Sequence, residues 1–271
     1  MRQESSPATA NQVNVRPVAP YVGGKRGLAA AIIARIAKIP HHTYAEPFIG
    51  MGGVFLRRPT AAKAEYINDY SRDVATFFRV LQRHYTAFLD MLRFQLTTRV
   101  EFERLMATDP STLTDLERAA RFLYLQRTSF GGKVASRNFG TSPGNPARFD
   151  VSKVVPALED LHIRLTAVTI ECLPYGEFID RYDQPGTLFY LDPPYWGSEG
   201  YYGKDMFGKA DFERLADQLA GIKGRFLLSI NDVPQIRRIF GRFKQQAVST
   251  TYTVRQTGPG KKAKELIISN G

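Results

Sequence analysis

The chain has 271 residues, 43% of them hydrophobic and 23% charged, the balance of a globular chain with a sizeable core, which excludes global disorder, collagen and coiled coil. A polar start and the lack of any run of about 18 apolar residues point away from a secretory signal and a membrane span, and predict a cytoplasmic protein; one cysteine excludes a disulfide framework and a cysteine-cluster zinc site. The 37 basic and 26 acidic residues leave a net charge of +11, suited to a polyanionic partner, although a solvated basic face would read the same way.

Residues Met1 to about Ala19 are rich in Ser, Ala, Asn and Pro without periodicity and read as a poorly ordered arm. Within Gly27–Lys38 the apolar residues Leu28, Ile32, Ile33 and Ile36 recur at helical spacing, and Pro40 ends the segment. Short strand-like runs follow at Thr43–Glu46 and Glu65–Asn68, and Val74, Phe77, Phe78 and Leu81 give the next helix its buried stripe. From Leu81 to Pro156 the strand–helix alternation is lost and the chain reads as mainly helical. There Thr114 and Glu117 form a capping box before a helix that buries Leu116, Ala120, Leu123 and Tyr124. Arg127–Pro146 is a Gly/Ser/Asn/Pro-rich loop or hairpin with Phe130, Lys133, Arg137 and Phe139 at its tips.

The alternation resumes with strands at Ala167–Glu171, Thr187–Leu191 and Phe226–Ile230 and a helix at Asp211–Ala220. Val248–Val254 and Glu265–Ser269 then pair as a hairpin across Gln256–Gly260. Between Lys223 and Lys264 ten Lys or Arg stand against the single acid Asp232, so most of the positive field belongs to this region. The expected organisation is an arm over 1–19, an α/β catalytic domain over 20–80 and 157–271, and an inserted subdomain over 81–156.

Three local patterns carry chemistry. The apolar run Leu188–Leu191 ends in Asp192-Pro193-Pro194-Tyr195, at the carboxyl end of a strand, where open α/β sheets bind ligands. Prolines remove N–H donors and leave carbonyls to accept, so an acid, a fixed carbonyl and an aromatic face together suit a planar amine; the plainer reading makes Asp192 a cap. Glu46-Pro47-Phe48-Ile49-Gly50-Met51-Gly52-Gly53 is a strand followed by a glycine-rich turn, and the next strand exits at Asn68-Asp69, an acid placed to accept ribose hydroxyls or to cap a helix. Tyr21-Val22-Gly23-Gly24-Lys25, just before the first helix, suits an anion, or leaves Lys25 as a surface cation.

In this order, over about Pro20–Asn270, these patterns resemble the Dam-type (D12 class) DNA adenine-N6 methyltransferases, a family with phage-encoded members. The later Leu228-Ser229-Ile230-Asn231 and Glu265-Leu266-Ile267 runs are similar to that family's closing strands. The resemblance implies a Rossmann-like α/β methyltransferase sheet with an inserted, mainly helical DNA-recognition subdomain. It implies S-adenosylmethionine as cofactor, held by Tyr21, Lys25, Glu46, Pro47, Phe48, Gly50, Gly52, Asp69 and Asp192. Catalysis would fall to Asp192, Pro193, Pro194 and Tyr195, acting on an adenine flipped from duplex DNA, with no metal.

Arg127, Lys133, Arg137, Arg255, Lys261 and Lys262 are the expected DNA contacts, and no obligate protein partner is implied. The Ser129–Arg137 segment departs from the recognition hairpin of GATC-methylating members, so that specificity is not carried over. Cytosine N4 as acceptor and an inactive nucleic-acid-binding subunit are the alternatives. The intact Asp192 and Tyr195 weigh against an inactive subunit, and the motif order against cytosine.

The remaining conspicuous residues have ordinary readings. Cys172 is expected as a small buried hydrophobe on a strand, His41 and His42 as packing or surface residues rather than ligands, and Asp73 as an exposed helical acid. Trp196 would line or cover the base pocket, and Ser198–Phe207, with Tyr201, Tyr202 and Lys204, is compatible with a lid.

Overall fold

The computed structural model describes residues 15–21, 23–132, 134, 137–141, 144–198, 207–252 and 261–271, with the backbone alone at 250–252 and 261–263. Seven strands form one sheet in the order β3-β2-β1-β4-β5-β7-β6: β1 (Thr43–Glu46), β2 (Ala64–Asn68), β3 (Val168–Glu171), β4 (Thr187–Leu191), β5 (Arg225–Asn231), β6 (Lys244–Tyr252) and β7 (Lys261–Ser269). The first five are parallel, and β7 lies antiparallel to both β5 and β6. This is a doubly wound, Rossmann-like α/β sheet whose strand order reverses between β1 and β4, opening a crevice at their carboxyl ends.

Strand burial follows from this layering. All five residues of β4 are buried, as a central parallel strand covered on both faces requires. Alternate residues serve different cores: Leu188 and Tyr190 face one cluster, with Leu227 and Ile267, while Phe189 and Leu191 face the other, with Phe226 and Leu228. The first core is closed by α1 (Ala29–Ile36), α2 (Arg72–Arg83) and the helices that follow it. Val74, Phe77, Phe78 and Leu81 of α2 are all buried, as their spacing predicts.

Between β2 and β3 the chain is helical: after α2 come α3 (Tyr85–Leu92), α4 (Arg99–Ala107), α5 (Asp115–Thr128) and α6 (Val151–Leu165). The Thr114/Glu117 capping box opens α5. The second face is covered by α7 (Tyr175–Tyr182), α8 (Lys209–Gly221) and α9 (Pro234–Ile239).

Three expectations change. The end of the presumed arm is core: Val15 is 1% exposed, Val18 and Ala19 are also buried, and the Val18 carbonyl accepts from Arg127. Their apolar side chains are too close to the sheet to be left in water, whatever the composition of the preceding residues. Cys172 lies one residue beyond β3 and is exposed, since the strand ends at Glu171 before the chain turns towards α7. The segment after α5 keeps the expected hairpin base, with Ser129 bridged antiparallel to Phe139 and Phe130 exposed, but Gly132 and Arg137 are tied inward. Phe130 and Gly140 donate to the Asn138 and Thr128 carbonyls, and Gln126 donates to the carbonyls of both Pro20 and Gly132 at 2.7 Å. Gly132 has φ +67°, and a Cβ there would lie 2.8 Å from the Pro20 backbone, so only glycine fits.

Candidate active site

The carboxyl ends of β1, β2 and β4 open into a cleft of about 1440 Å³. Sequence-predicted residues supply much of its wall: Tyr21, Lys25, Glu46, Pro47, Phe48, Gly50, Asp69, Asp192 and Pro194 all line it. Gly52 shapes the turn instead. It has φ +73°, and a Cβ there would meet the Leu56 side chain at 2.8 Å.

The turn after β1 is built to bring backbone to the cleft. Its fold is fixed by Ile49 N–H donating to the Asn68 carbonyl and Gly52 N–H to the Ile49 carbonyl. Gly50 has φ +49°, and a Cβ there would stand 3.0 Å from the Tyr21 ring, so this ring packs on bare backbone. Asp69 ties the turn to the next helix: one carboxylate oxygen accepts from Gly50 N–H and the other from Ser71 N–H, both at 2.9 Å. Burial pushes its carboxyl up to about 6 against the pull of those two N–H groups.

The strand exit of β4 is organised around Lys25, which is 1% exposed. Its ammonium sits 2.6 Å from Asp192 Oδ1, 2.6 Å from the Tyr195 hydroxyl and 3.7 Å from Glu265 Oε2. It also stands 4.3 Å from the centre of the Tyr195 ring. Tyr195 in turn donates to Glu265 Oε1. Thus Lys25 is neither a solvated cation nor a free anion site; it is the counter-ion of the Asp-Pro-Pro-Tyr segment. Pro193 is buried beside Asp192. Trp196 packs on Phe212 and exchanges hydrogen bonds with Asn231 at the end of β5.

The cleft floor is acidic and poorly solvated. Burial raises Asp192 to about 6, with Lys25 opposing it, and raises Glu46 to about 8, although the Tyr44 hydroxyl donates to it at 2.5 Å. Burial also lifts the Tyr195 hydroxyl far above its ordinary range, helped by the neighbouring Asp192 and Glu265 carboxylates. Glu46 keeps its proton at neutral pH and Asp192 is paired with Lys25, so the floor offers oxygen dipoles rather than free negative charge to a positively charged ligand. One end of the cleft is aromatic, where Phe48 meets Tyr175 and Phe207 at ring distances of 5.6 and 5.8 Å. Arg16, Arg26 and Arg57 also line the cleft. A purine, a ribose diol, a positive sulfur and a carboxylate would each find a matching wall, so these residues fit S-adenosylmethionine.

Sequence reasoning did not single out Tyr175 or the three arginines as site residues, and met Phe207 only as the end of the Ser198–Phe207 segment. It placed Glu265 only within a closing strand. The proposed DNA contacts fall into three groups. Arg127 donates to the Val18 carbonyl, and Arg137 donates to Gln126 Oε1 at 3.0 Å, its guanidinium pushed down to about 10 by burial. Both are therefore tied into the fold, and Arg137 does not tip its hairpin. Lys261 and Lys262 lie on the β7 backbone, and Lys133 and Arg255 fall outside the described residues, as do Tyr201, Tyr202 and Lys204. Asp73 is ion-paired with Arg118 at 2.5 Å. Among the described residues no group of acids, His and Cys could hold a metal, and no helix is long and apolar enough to cross a membrane.

The geometry agrees with three lines of kinship. The chain is 26% identical to the type II methyltransferase M1.LlaDCHI of Lactococcus lactis subsp. cremoris, over 96% of this chain and 97% of that one. It is 25% identical to the retron Ec67 DNA adenine methylase of Escherichia coli, over 83% of this chain and 82% of that one. It is also 25% identical to the DNA N-6-adenine-methyltransferase of Escherichia phage P1, over 83% of this chain and 31% of that one. The family model for D12 class N6 adenine-specific DNA methyltransferases matches residues 21–254. That span takes in Tyr21, the glycine-rich turn, Asp69 and Asp192 to Tyr195. The chain belongs to the D12 class of N6 adenine-specific DNA methyltransferases, whose methyl donor is S-adenosylmethionine.

Proposed function

We propose that this methyltransferase acts on double-stranded DNA, taking one adenine out of the stack and methylating its N6 at the carboxyl end of β4. The single observation carrying this reading is the Asp192 carboxylate, set beside the crevice at the sheet's switch point and held by a buried ammonium at 2.6 Å. The exocyclic nitrogen of adenine is a poor nucleophile because its lone pair is delocalised into the ring. Asp192 accepts one of its hydrogens and the Pro193 carbonyl the other, which concentrates density on nitrogen and aims it. S-adenosylmethionine, when bound, supplies a methyl group on positively charged sulfur. The nitrogen–carbon bond forms as the carbon–sulfur bond breaks. The surplus proton on nitrogen passes to Asp192, whose carboxyl near 6 returns it to solvent at neutral pH.

The other residues bind and orient. Asp69 accepts the ribose hydroxyls while its backbone bonds hold it rigid. Tyr21, Gly50 and Phe48 wall the nucleoside, and Tyr195, anchored by its hydroxyl, offers its ring to the flipped base. Arg127 and Arg137 brace the loop after α5, so the phosphate contacts fall to Lys133, Arg255, Lys261 and Lys262. The test is transfer of labelled methyl from S-adenosylmethionine to unmethylated duplex DNA, followed by nucleoside mass analysis and modification-aware sequencing. N6-methyladenine supports the reading; N4-methylcytosine, or label on single strands alone, overturns it.

A further inference from the structure

The buried cluster at the β4 exit holds one cation and two carboxylates, and the second carboxylate has no place in the reaction described above. Glu265 is 0% exposed. It comes from the middle of β7, opposite Asn231 of β5 and Val248 of β6. Its Oε1 accepts from the Tyr195 hydroxyl, while its Oε2 is buried with no hydrogen-bond partner and faces the Lys25 ammonium at 3.7 Å. A buried carboxylate with an unsatisfied oxygen costs a fold stability, and an apolar residue of similar size would pack in a strand without that cost.

The hydrogen-bond inventory explains why an acid is kept. An ammonium has three N–H groups: Lys25 spends one on Asp192 Oδ1 and one on the Tyr195 hydroxyl, both at 2.6 Å, and the third is left for Glu265. The Tyr195 hydroxyl accepts from Lys25 and donates to Glu265. Lysine, tyrosine and glutamate therefore form a ring of two hydrogen bonds closed by a 3.7 Å ion pair, with Asp192 attached to it through the lysine.

We infer that Glu265 is a positioning residue for methyl transfer: it shares Lys25 with Asp192 and anchors Tyr195, and so sets how much of the lysine's charge the Asp192 carboxylate feels. The inference rests on Asp192 serving the reaction as proposed. A lysine wholly committed to Asp192 would leave that carboxylate a weak acceptor for the target amine. A lysine drawn wholly to Glu265 would leave Asp192 a buried, unpaired acid that takes up a proton. The observed distances place the ammonium between these limits and nearer to Asp192. The titratable groups around the cluster are Lys25 from the head of α1, Tyr195 beyond β4, Glu265 on β7, Tyr190 within β4, and Glu46 at the end of β1. The last two hold their protons across the acidic limb, Glu46 being raised to about 8 and Tyr190 well above its ordinary value.

The experiment is the pH profile of kcat/KM and the kcat of methyl transfer to unmethylated duplex DNA for wild type, E265Q and D192A, with S-adenosylmethionine affinity and thermal unfolding measured in parallel. E265Q removes a negative neighbour that raises the Asp192 carboxyl, so its acidic limb moves down by roughly half to one pH step. Its kcat falls on the order of tenfold, with cofactor affinity within about twofold of wild type. Should E265Q fail to fold, Y195F tests the same ring. Without its donor, Glu265 draws Lys25 from Asp192, and the limb moves up. A limb that stays put in whichever variant folds overturns the inference, as does a loss of rate explained by the unfolded fraction. Wild-type turnover by D192A, in contrast, would overturn the reading of the site itself.

Discussion

Glu46→Gln separates the electrostatic cost of the cleft floor from its packing. Glu46 is 2% exposed, and its carboxyl is raised from 4.5 to about 8, chiefly by burial, with Asp192 and Glu65 adding to the rise and Tyr44 and Arg58 opposing it. A carboxyl whose value is higher in the folded chain binds its proton more tightly there. Its contribution to stability is therefore complete below about 4.5 and is lost as pH rises through about 8. Across that window each pH step weakens the wild type by about 1.4 kcal/mol relative to a variant that cannot titrate, or about 4–5 kcal/mol in all. The amide keeps the volume and can accept from the Tyr44 hydroxyl. Whatever its second N–H costs is the same at every pH and shifts the comparison without tilting it. Urea unfolding of ligand-free wild type and E46Q at several pH values between about 5 and 9, fitted with one slope, gives the difference directly. A difference flat to within about 0.5 kcal/mol over that range would refute the reasoning, because a carboxyl that titrates normally in the fold produces that result.

Asp192→Ala should lower methyl transfer by about a thousandfold or more while S-adenosylmethionine affinity falls less than tenfold. The wild-type rate should decline as pH drops through about 6, where Asp192 takes up a proton and can no longer accept. Asp69→Asn leaves one oxygen to serve the two N–H groups of Gly50 and Ser71 and removes a charged partner for the ribose. Calorimetry should find affinity for the cofactor reduced by about 10–100-fold. Gly50→Ala forces a side chain into φ +49° and against the Tyr21 ring; unfolding should cost about 1–2 kcal/mol less, with cofactor affinity reduced as well. The double variant K261A/K262A should flatten the salt dependence of DNA binding by about two in slope. Arg127→Ala, removing a bond to the Val18 carbonyl, should lower stability and leave that slope unchanged.

Much of this molecule was legible from residue order, for reasons that differ by element. The strands β1 and β4 were predicted to the residue because short apolar runs bounded by Pro, Gly or an acid have few other uses. The Thr114/Glu117 box was legible because both partners lie within one turn. Asp69 and Asp192 were placed by a topological rule, since acids at strand exits fall at the crevice whatever the side chains around them. What escaped is long-range. Lys25 meets Asp192 across 167 positions of chain, and no local pattern says that its ammonium will be claimed by a carboxylate. Separation in sequence hid Glu265 as well, which meets Tyr195 across 70 positions and reads locally as one more residue of an edge hairpin. Residues 15–19 lack any periodicity to announce their burial, because they pack as irregular chain rather than as helix or strand. Helix α6 was obscured past Pro156, which the helix accommodates in its second turn.

The side-chain amide of Gln126 has a consequence for ligand order. Its nitrogen clasps the carbonyls of Pro20 and Gly132 together, and its oxygen takes a bond from Arg137. Pro20 immediately precedes the Tyr21 ring that lines the cleft, whereas Gly132 lies in the loop after α5, next in sequence to Lys133, one of the proposed phosphate contacts. The two ligand-facing surfaces are thus joined by one clasp with little slack, since even a methyl group at Gly132 would collide with the Pro20 backbone. A ligand that moved either segment would pass that movement to the other through this clasp. Linkage would then make the two effects equal: the factor by which a filled cleft changes affinity for DNA is the factor by which DNA changes affinity for the methyl donor.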